Sequence, residues 1–250
     1  MTGLRGAAAA EWTKLWSLRS TWWCLLVALV VTGVQAGSYG ISFVNGAVPG
    51  YGALLPVGET AREAVQASVL VLLAVPVLTA TAEYATGSIA ATLLWVPRRG
   101  RVVLAKAAVV AGVTGVAGVV LGLFGVLAGW LALGPEGLVE APALALDVLA
   151  VGAYVALVST LALGVGLAVR SAVGTLTVVF LLLFVLPALL PAVGLDVLVR
   201  AADYLPGTAG GHLLGRTADP YPAAVAIAVL VGWAVAALLA GALVLHRRDA

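Results

Sequence analysis

Residues 107–135 read AAVVAGVTGVAGVVLGLFGVLAGWLALGP, a run of 29 positions without one charge. A helix rises about 1.5 Å per residue, so about 20 apolar residues cross the roughly 30 Å hydrocarbon core of a bilayer. This stretch is long enough to span with several residues to spare. The rest of the chain is built in the same way. Of its 250 residues, 63% are hydrophobic and 10% are charged, and the mean hydropathy is +1.15. A soluble domain carries about 25% charge and 45–50% apolar residues. The surplus apolar surface cannot all enter one globular core, so part of it faces lipid. These values exclude a soluble enzyme, a nucleic-acid-binding domain and a disordered chain. The single cysteine, Cys24, cannot form an internal disulfide and reads as a small apolar residue buried in the first span.

Charge-poor windows on either side of this run predict five further crossings. The six spans are expected at about 20–43, 64–86, 106–133, 146–170, 172–193 and 221–246. The fold class is therefore an all-α integral membrane protein, a single transmembrane domain over residues 1–250. Lys and Arg are retained on the cytoplasmic side of a membrane. With six spans, the side of both termini holds ten of the 13 basic residues and three acids, a local charge of +7. The opposite side holds three basic residues and eight acids, −5. This predicts a multi-pass protein of the cell membrane with both termini cytoplasmic and an uncleaved first span.

Before the first span, residues 6–19 read as an amphipathic helix along the inner leaflet. Glu11 and Lys14 sit at i,i+3 spacing. Trp12, Leu15 and Trp16 are of the type that anchors at headgroup level, and Arg19 ends the segment. The outer loop from Val44 to Glu63, with NGAVPGYG and Gly58-Glu59-Thr60, reads as irregular. Pro76 predicts a kink in the second span, and Pro187 and Pro191 predict a kink or break in the fifth. The segment after Leu195 is too polar to span. It suits two short external or re-entrant helices within about 195–215. Spans four and five are joined by a short inner turn at Arg170 to Gly174 and should form an antiparallel hairpin.

The third span carries Gly115, Gly118, Gly122, Gly125 and Gly129 within one face of roughly 80°. Such a strip lets another helix approach closely. Static packing is the plain reading, and a line of contact that slides is the functional one.

The chain lacks the spacings that carry chemistry. Neither lysine, Lys14 or Lys106, follows a phosphate-binding glycine loop, and no zinc, cysteine-cluster or Ser-His-Asp pattern occurs. No catalytic or metal-binding residue is assigned. His212 and His246 read as surface or interface residues rather than ligands. The predicted span interiors hold no Asp, Glu, His or Lys, which disfavours an ion-coupled transporter and an intramembrane enzyme. Any energy for transport would arrive through a partner.

The inner segment 83–106 reads EYATGSIAATLLWVPRRGRVVLAK. Gly87 can end the second span, Ser88 can cap a new short helix, and Pro97 would stop it. Ile89, Leu93 and Val96 fall on one apolar face. A dense basic turn follows at Arg98, Arg99 and Arg101. Glu83 could pair with one of these arginines, with Lys14 or with Arg19, since a partly desolvated charge needs a partner. Here the sequence resembles the type 2 exporter class of ABC transporter permeases. The resemblance rests on Glu83-x-x-x-Gly87-Ser88, Leu93-Leu94 and Pro97-Arg98-Arg99, on EWTKLWSLRSTWW at 11–23, and on YLPGTAGG at 204–211. It implies that segment 87–105 is a cytoplasmic coupling helix docking into an ATPase, with the N-terminal helix beside it. It also implies two copies of a separate ABC ATPase, which would hold ATP and Mg, and a second permease subunit, identical or homologous. This chain itself would be no enzyme and hold no cofactor. It would move a hydrophobic or amphipathic substrate such as a drug, lipid or peptide. A membrane scaffold or immunity protein that binds an ATPase or a toxin would share the same architecture.

Overall fold

The computed structural model describes residues 4–48, 53–85, 87, 99–215 and 220–247. Eleven α-helices are present among them. They are α1 (Leu4–Ser17), α2 (Arg19–Val44), α3 (Val57–Leu72), α4 (Ala74–Ala85), α5 (Arg99–Leu133), α6 (Ala141–Val169), α7 (Ala172–Phe180), α8 (Leu186–Ala192), α9 (Asp196–Asp203), α10 (Pro206–Leu213) and α11 (Ala223–Arg247). Six stretches are long and apolar enough to cross a membrane: 19–44, 57–84, 100–136, 141–169, 172–192 and 223–245. The described residues are mostly helical, and these six stretches are compatible with the all-α membrane architecture read from composition.

Several boundaries differ from the expected ones, each for a local reason. Leu18 separates α1 from α2, so the N-terminal segment is a helix of its own. The second span starts at Val57 rather than residue 64, which shortens the irregular outer loop. Glu59 lies in its first turn, where a carboxylate favours the positive end of the helix dipole. That span breaks at Leu73. Pro76 has no N–H to offer the Leu72 carbonyl four residues back, and its ring clashes with that turn. The third span begins at Arg99 rather than 106, so the end of the predicted coupling segment is continuous with it. The fourth starts at Ala141 rather than 146, with Pro142 in the first turn where no N–H is needed. In the fifth, Leu181–Val185 forms a π-turn between α7 and α8. Pro187 cannot donate to the Leu183 carbonyl, and Gly207 packs on that carbonyl where any Cβ would overlap it.

The chain divides into two compact units. One comprises Ser20–Leu72 and Val113–Ala156. One end of it is tied by a parallel pairing of β1 (Leu55–Pro56) with β2 (Gly137–Leu138) over Phe43, Val57 and Leu133. Here the glycine strip differs from expectation, because it serves two partners rather than one line. Gly115, Gly118 and Gly122 face α6. A Cβ on Gly118 would lie 2.9 Å from Gly152 Cα. Gly125 and Gly129 turn to α3, where a Cβ on Gly125 would lie 3.0 Å from Ala61 Cα and one on Gly129 would overlap Thr60. Buried hydroxyls add to the seam. Thr60 Oγ1 donates to the Gly125 carbonyl at 3.1 Å, and Thr32 and Ser68 hydroxyls lie 2.6 Å apart.

The other unit comprises Met1–Arg19, Leu73–Gly112 and Leu157–Ala250. Its core gathers Ala80, Val103, Val110, Leu163, Leu167 and Leu245. Close helix approach again uses glycine: a Cβ on Gly241 would lie 2.8 Å from the Gly164 carbonyl oxygen. The two short helices expected after span five are α9 and α10. Trp233 Nε1 donates to the Tyr204 carbonyl at 2.8 Å, and the Tyr221 hydroxyl donates to the Asp203 carbonyl. His212 is not a surface residue. It is 3% exposed, with its ring 4.3 Å from that of Tyr221. Cys24 is half-buried rather than buried, on a helix whose apolar side faces outward.

Candidate functional site

Four charged residues from three helices of the second unit meet at the ends of α4 and α5. Glu11 and Lys14 come from α1, Glu83 from the last turn of α4, and Lys106 from two turns into α5. Lys14 Nζ lies 2.5 Å from Glu83 Oε1 and 2.9 Å from Glu11 Oε1. Lys106 Nζ lies 2.7 Å from Glu11 Oε2 and 3.2 Å from Glu83 Oε2. Each carboxylate therefore bridges both ammonium groups, in a closed ring of alternating sign and zero net charge. Lys106 also reaches the Thr79 carbonyl at 3.4 Å.

Burial makes this ring demanding. The Lys106 and Glu11 side chains are 2% and 4% exposed. Moving one such ion out of water costs several kcal/mol, and only good pairing offsets it. The geometry meets that demand through two partners for each charge. Lys14 is the outlying member at 45% exposure. Burial depresses its pKa, but hydrogen bonds to Glu83 and Glu11 outweigh this and leave it above its ordinary value of 10.5.

The structure brings together three of the residues singled out in the sequence, Glu11, Lys14 and Glu83. The expected i,i+3 pair forms, and the Glu83 partner is Lys14. The second partner, Lys106, was missed. Read as the edge of a charge-free window, it seemed to sit at a span terminus. Starting the helix at Arg99 places it seven residues inside, where an ammonium must find acids.

The remaining predicted residues fall elsewhere. Gly87 follows α4 in a turn with φ +69°, as a helix-ending glycine should. Ser88, Ile89, Leu93, Pro97 and Arg98, and the side chains of Arg99 and His246, lie outside the described residues. Arg101 is exposed on the first turn of α5, so part of the expected basic turn is helical. Trp12 is exposed and packs edge-on against half-buried Trp16, with ring centroids 5.6 Å apart. Leu15, expected at headgroup level, is instead buried against protein at 2% exposure. Arg19 is exposed at the start of α2.

The expectation of charge-free span interiors is also corrected. Because the helices start earlier, Arg62 and Asp147 lie inside two of the spanning stretches. Arg62 Nε is 3.5 Å from Asp147 Oδ1, and Arg62 also pairs with Glu59. Arg62 lies five residues, about 7.5 Å, into its helix. Its charges are paired and near a span end rather than isolated at depth. Among the described residues, no group of three or more His, Cys, Asp and Glu could hold a metal ion.

No protein-family model matches the chain, and no curated protein is detectably similar to it.

Proposed function

We propose that the chain is the membrane-spanning subunit of an ATP-driven exporter of the ABC type 2 class. In this reading it lies in the cell membrane with both termini cytoplasmic. It works with a second permease subunit and two separate ATPase subunits, which hold ATP and Mg. The observation that carries the reading is the ring of Glu11, Lys14, Glu83 and Lys106. It fastens the N-terminal helix to the ends of spans two and three, four residues before Gly87, where the expected coupling segment departs. A push on that segment would then reach α1 and α5 together, because separating them exposes buried charges. Closure of the ATPase subunits supplies the push, and the permease halves pivot between inward and outward openings. Arg98, Arg99 and Arg101 supply a basic contact for acidic residues of the ATPase. The substrate class is hydrophobic or amphipathic.

The test is purification of the full chain from its native membrane in mild detergent. A soluble protein with a phosphate-loop motif should co-purify in equal amount. In proteoliposomes its ATP hydrolysis should respond to substrate, and Arg98→Glu with Arg99→Glu should abolish that response. A chain that purifies without an ATPase, or a double variant with unaltered assembly and hydrolysis, refutes the reading.

A further inference from the structure

We propose that Arg170 is a positioning residue that ties the end of span two to the end of span six. The inference starts from backbone strain. Arg170 follows α6 with φ +61°, the one non-glycine residue with positive φ among those described. The other five such positions, Gly46, Gly87, Gly134, Gly194 and Gly215, are glycine. A Cβ in this left-handed region meets the following carbonyl, so glycine suits a helix end better. The turn itself does not need an arginine. Arg170 N–H donates to the Gly166 carbonyl at 2.8 Å, and Ser171 Oγ caps α7 by accepting from Gly174 N–H at 3.3 Å. Glycine would serve both.

The side chain gives the reason for keeping it. Its guanidinium carbon stands 4.8 Å from the ring centroid of Tyr84, within cation–π range. Its Nη2 reaches the Val244 carbonyl at 3.4 Å. Val244 lies in the last described turn of α11, toward the negative end of its dipole. Tyr84 adjoins Glu83 of the charge ring and stands three residues before Gly87. One guanidinium thus joins the end of α4, the α6–α7 turn and the end of α11. Strain held in place by surrounding contacts marks sites where position matters. On the permease reading, which this assignment extends, displacement of the segment beyond Gly87 is passed to span six through Arg170.

The experiment uses the full chain in lipid nanodiscs, with peptide-resolved hydrogen exchange and thermal unfolding. Arg170→Gly should speed exchange about tenfold in both 80–87 and 240–247, two regions far apart in sequence. The unfolding midpoint should not fall, because glycine relieves the strain. Tyr84→Leu, which leaves the turn intact, should reproduce the faster exchange at 240–247. Acceleration confined to 166–174, a uniform acceleration of all peptides, or an unchanged 240–247 in Tyr84→Leu would overturn the tie. No ATPase enters these measurements, so failure of the permease reading would remove the drive assignment and leave the tie standing.

Discussion

Replacing Lys106 with Met gives the sharpest test of the charge ring. Met has a similar length and volume, so packing is largely kept and charge is removed. Two buried carboxylates, Glu11 and Glu83, then share Lys14 alone, which is half exposed to its surroundings. The ring passes from neutral to −1. Removing one partner of a buried pair costs about 3–5 kcal/mol, because the group left behind stays desolvated. For a chain of this size each kcal/mol moves an unfolding midpoint by about 2–4 °C. The midpoint of Lys106→Met should fall by at least about 6 °C, read from tryptophan fluorescence at one fixed heating rate. Adding Glu83→Gln removes the surplus negative charge and leaves Glu11 with Lys14. The double variant should regain most of the loss, a coupling above about 2 kcal/mol. A fall under about 1 kcal/mol, or no recovery in the double variant, would refute the claim that Lys106 is held in a balanced ring.

Other outcomes follow from the same geometry. Gly129→Ala should destabilise by about 1–3 kcal/mol, since its Cβ would overlap Thr60. Gly112→Ala, with nothing within 4 Å, should be neutral or stabilising by up to about 1 kcal/mol; equal midpoints for the two would count against the packing role of the strip. Lys14 has a raised pKa, so its contribution is fully present below its unfolded value of 10.5 and fades as pH rises through the higher folded value. The midpoint gap between wild type and Lys14→Met should stay level up to about pH 10 and close above it, and a gap that closes near neutrality would contradict the assignment. A ring emptied of charge (Glu11→Gln, Lys14→Met, Glu83→Gln, Lys106→Met) should unfold near the wild-type midpoint yet show faster amide exchange in α1. Wild-type protection of α1 in that variant would mean the ring does not fix its position.

The six helices long and apolar enough to cross a membrane were legible because they rest on long sums, and no single residue decides them. The short helices α9 and α10 were legible because the segment is too polar to span and Pro206, which suits the first turn of a helix, separates the two. The span starts were not. Glu59, Arg62 and Lys106 are charged, and a window that stops at charge stops too early. Lipid penalises an unpaired charge, whereas a helix tolerates a paired one in its first turns. Pairing is a property of the fold, so Arg62 with Asp147 and Lys106 with Glu83 could not be seen along the chain. The glycine strip showed where helices approach closely, yet its division between α6 and α3 needed the axes themselves.

The ring also bears on why this chain keeps scarce charge at one place. Apolar residues of similar volume would hold α1 against α4 and α5 about as firmly, since buried ion pairs gain little net stability over such contacts. What charge adds is selectivity of position. Slipping α1 by one residue turns Glu11 and Lys14 by about 100°, which would take from Lys106 and Glu83 their partners on α1 and leave each only the other. An apolar face would instead repack at small cost. In a membrane protein the neighbouring lipid is as apolar as any helix face, so greasy contact discriminates poorly between registers. A closed ring of four charges, with Arg170 strained into place one residue beyond it at Tyr84, defines one arrangement of the helix ends and penalises its neighbours.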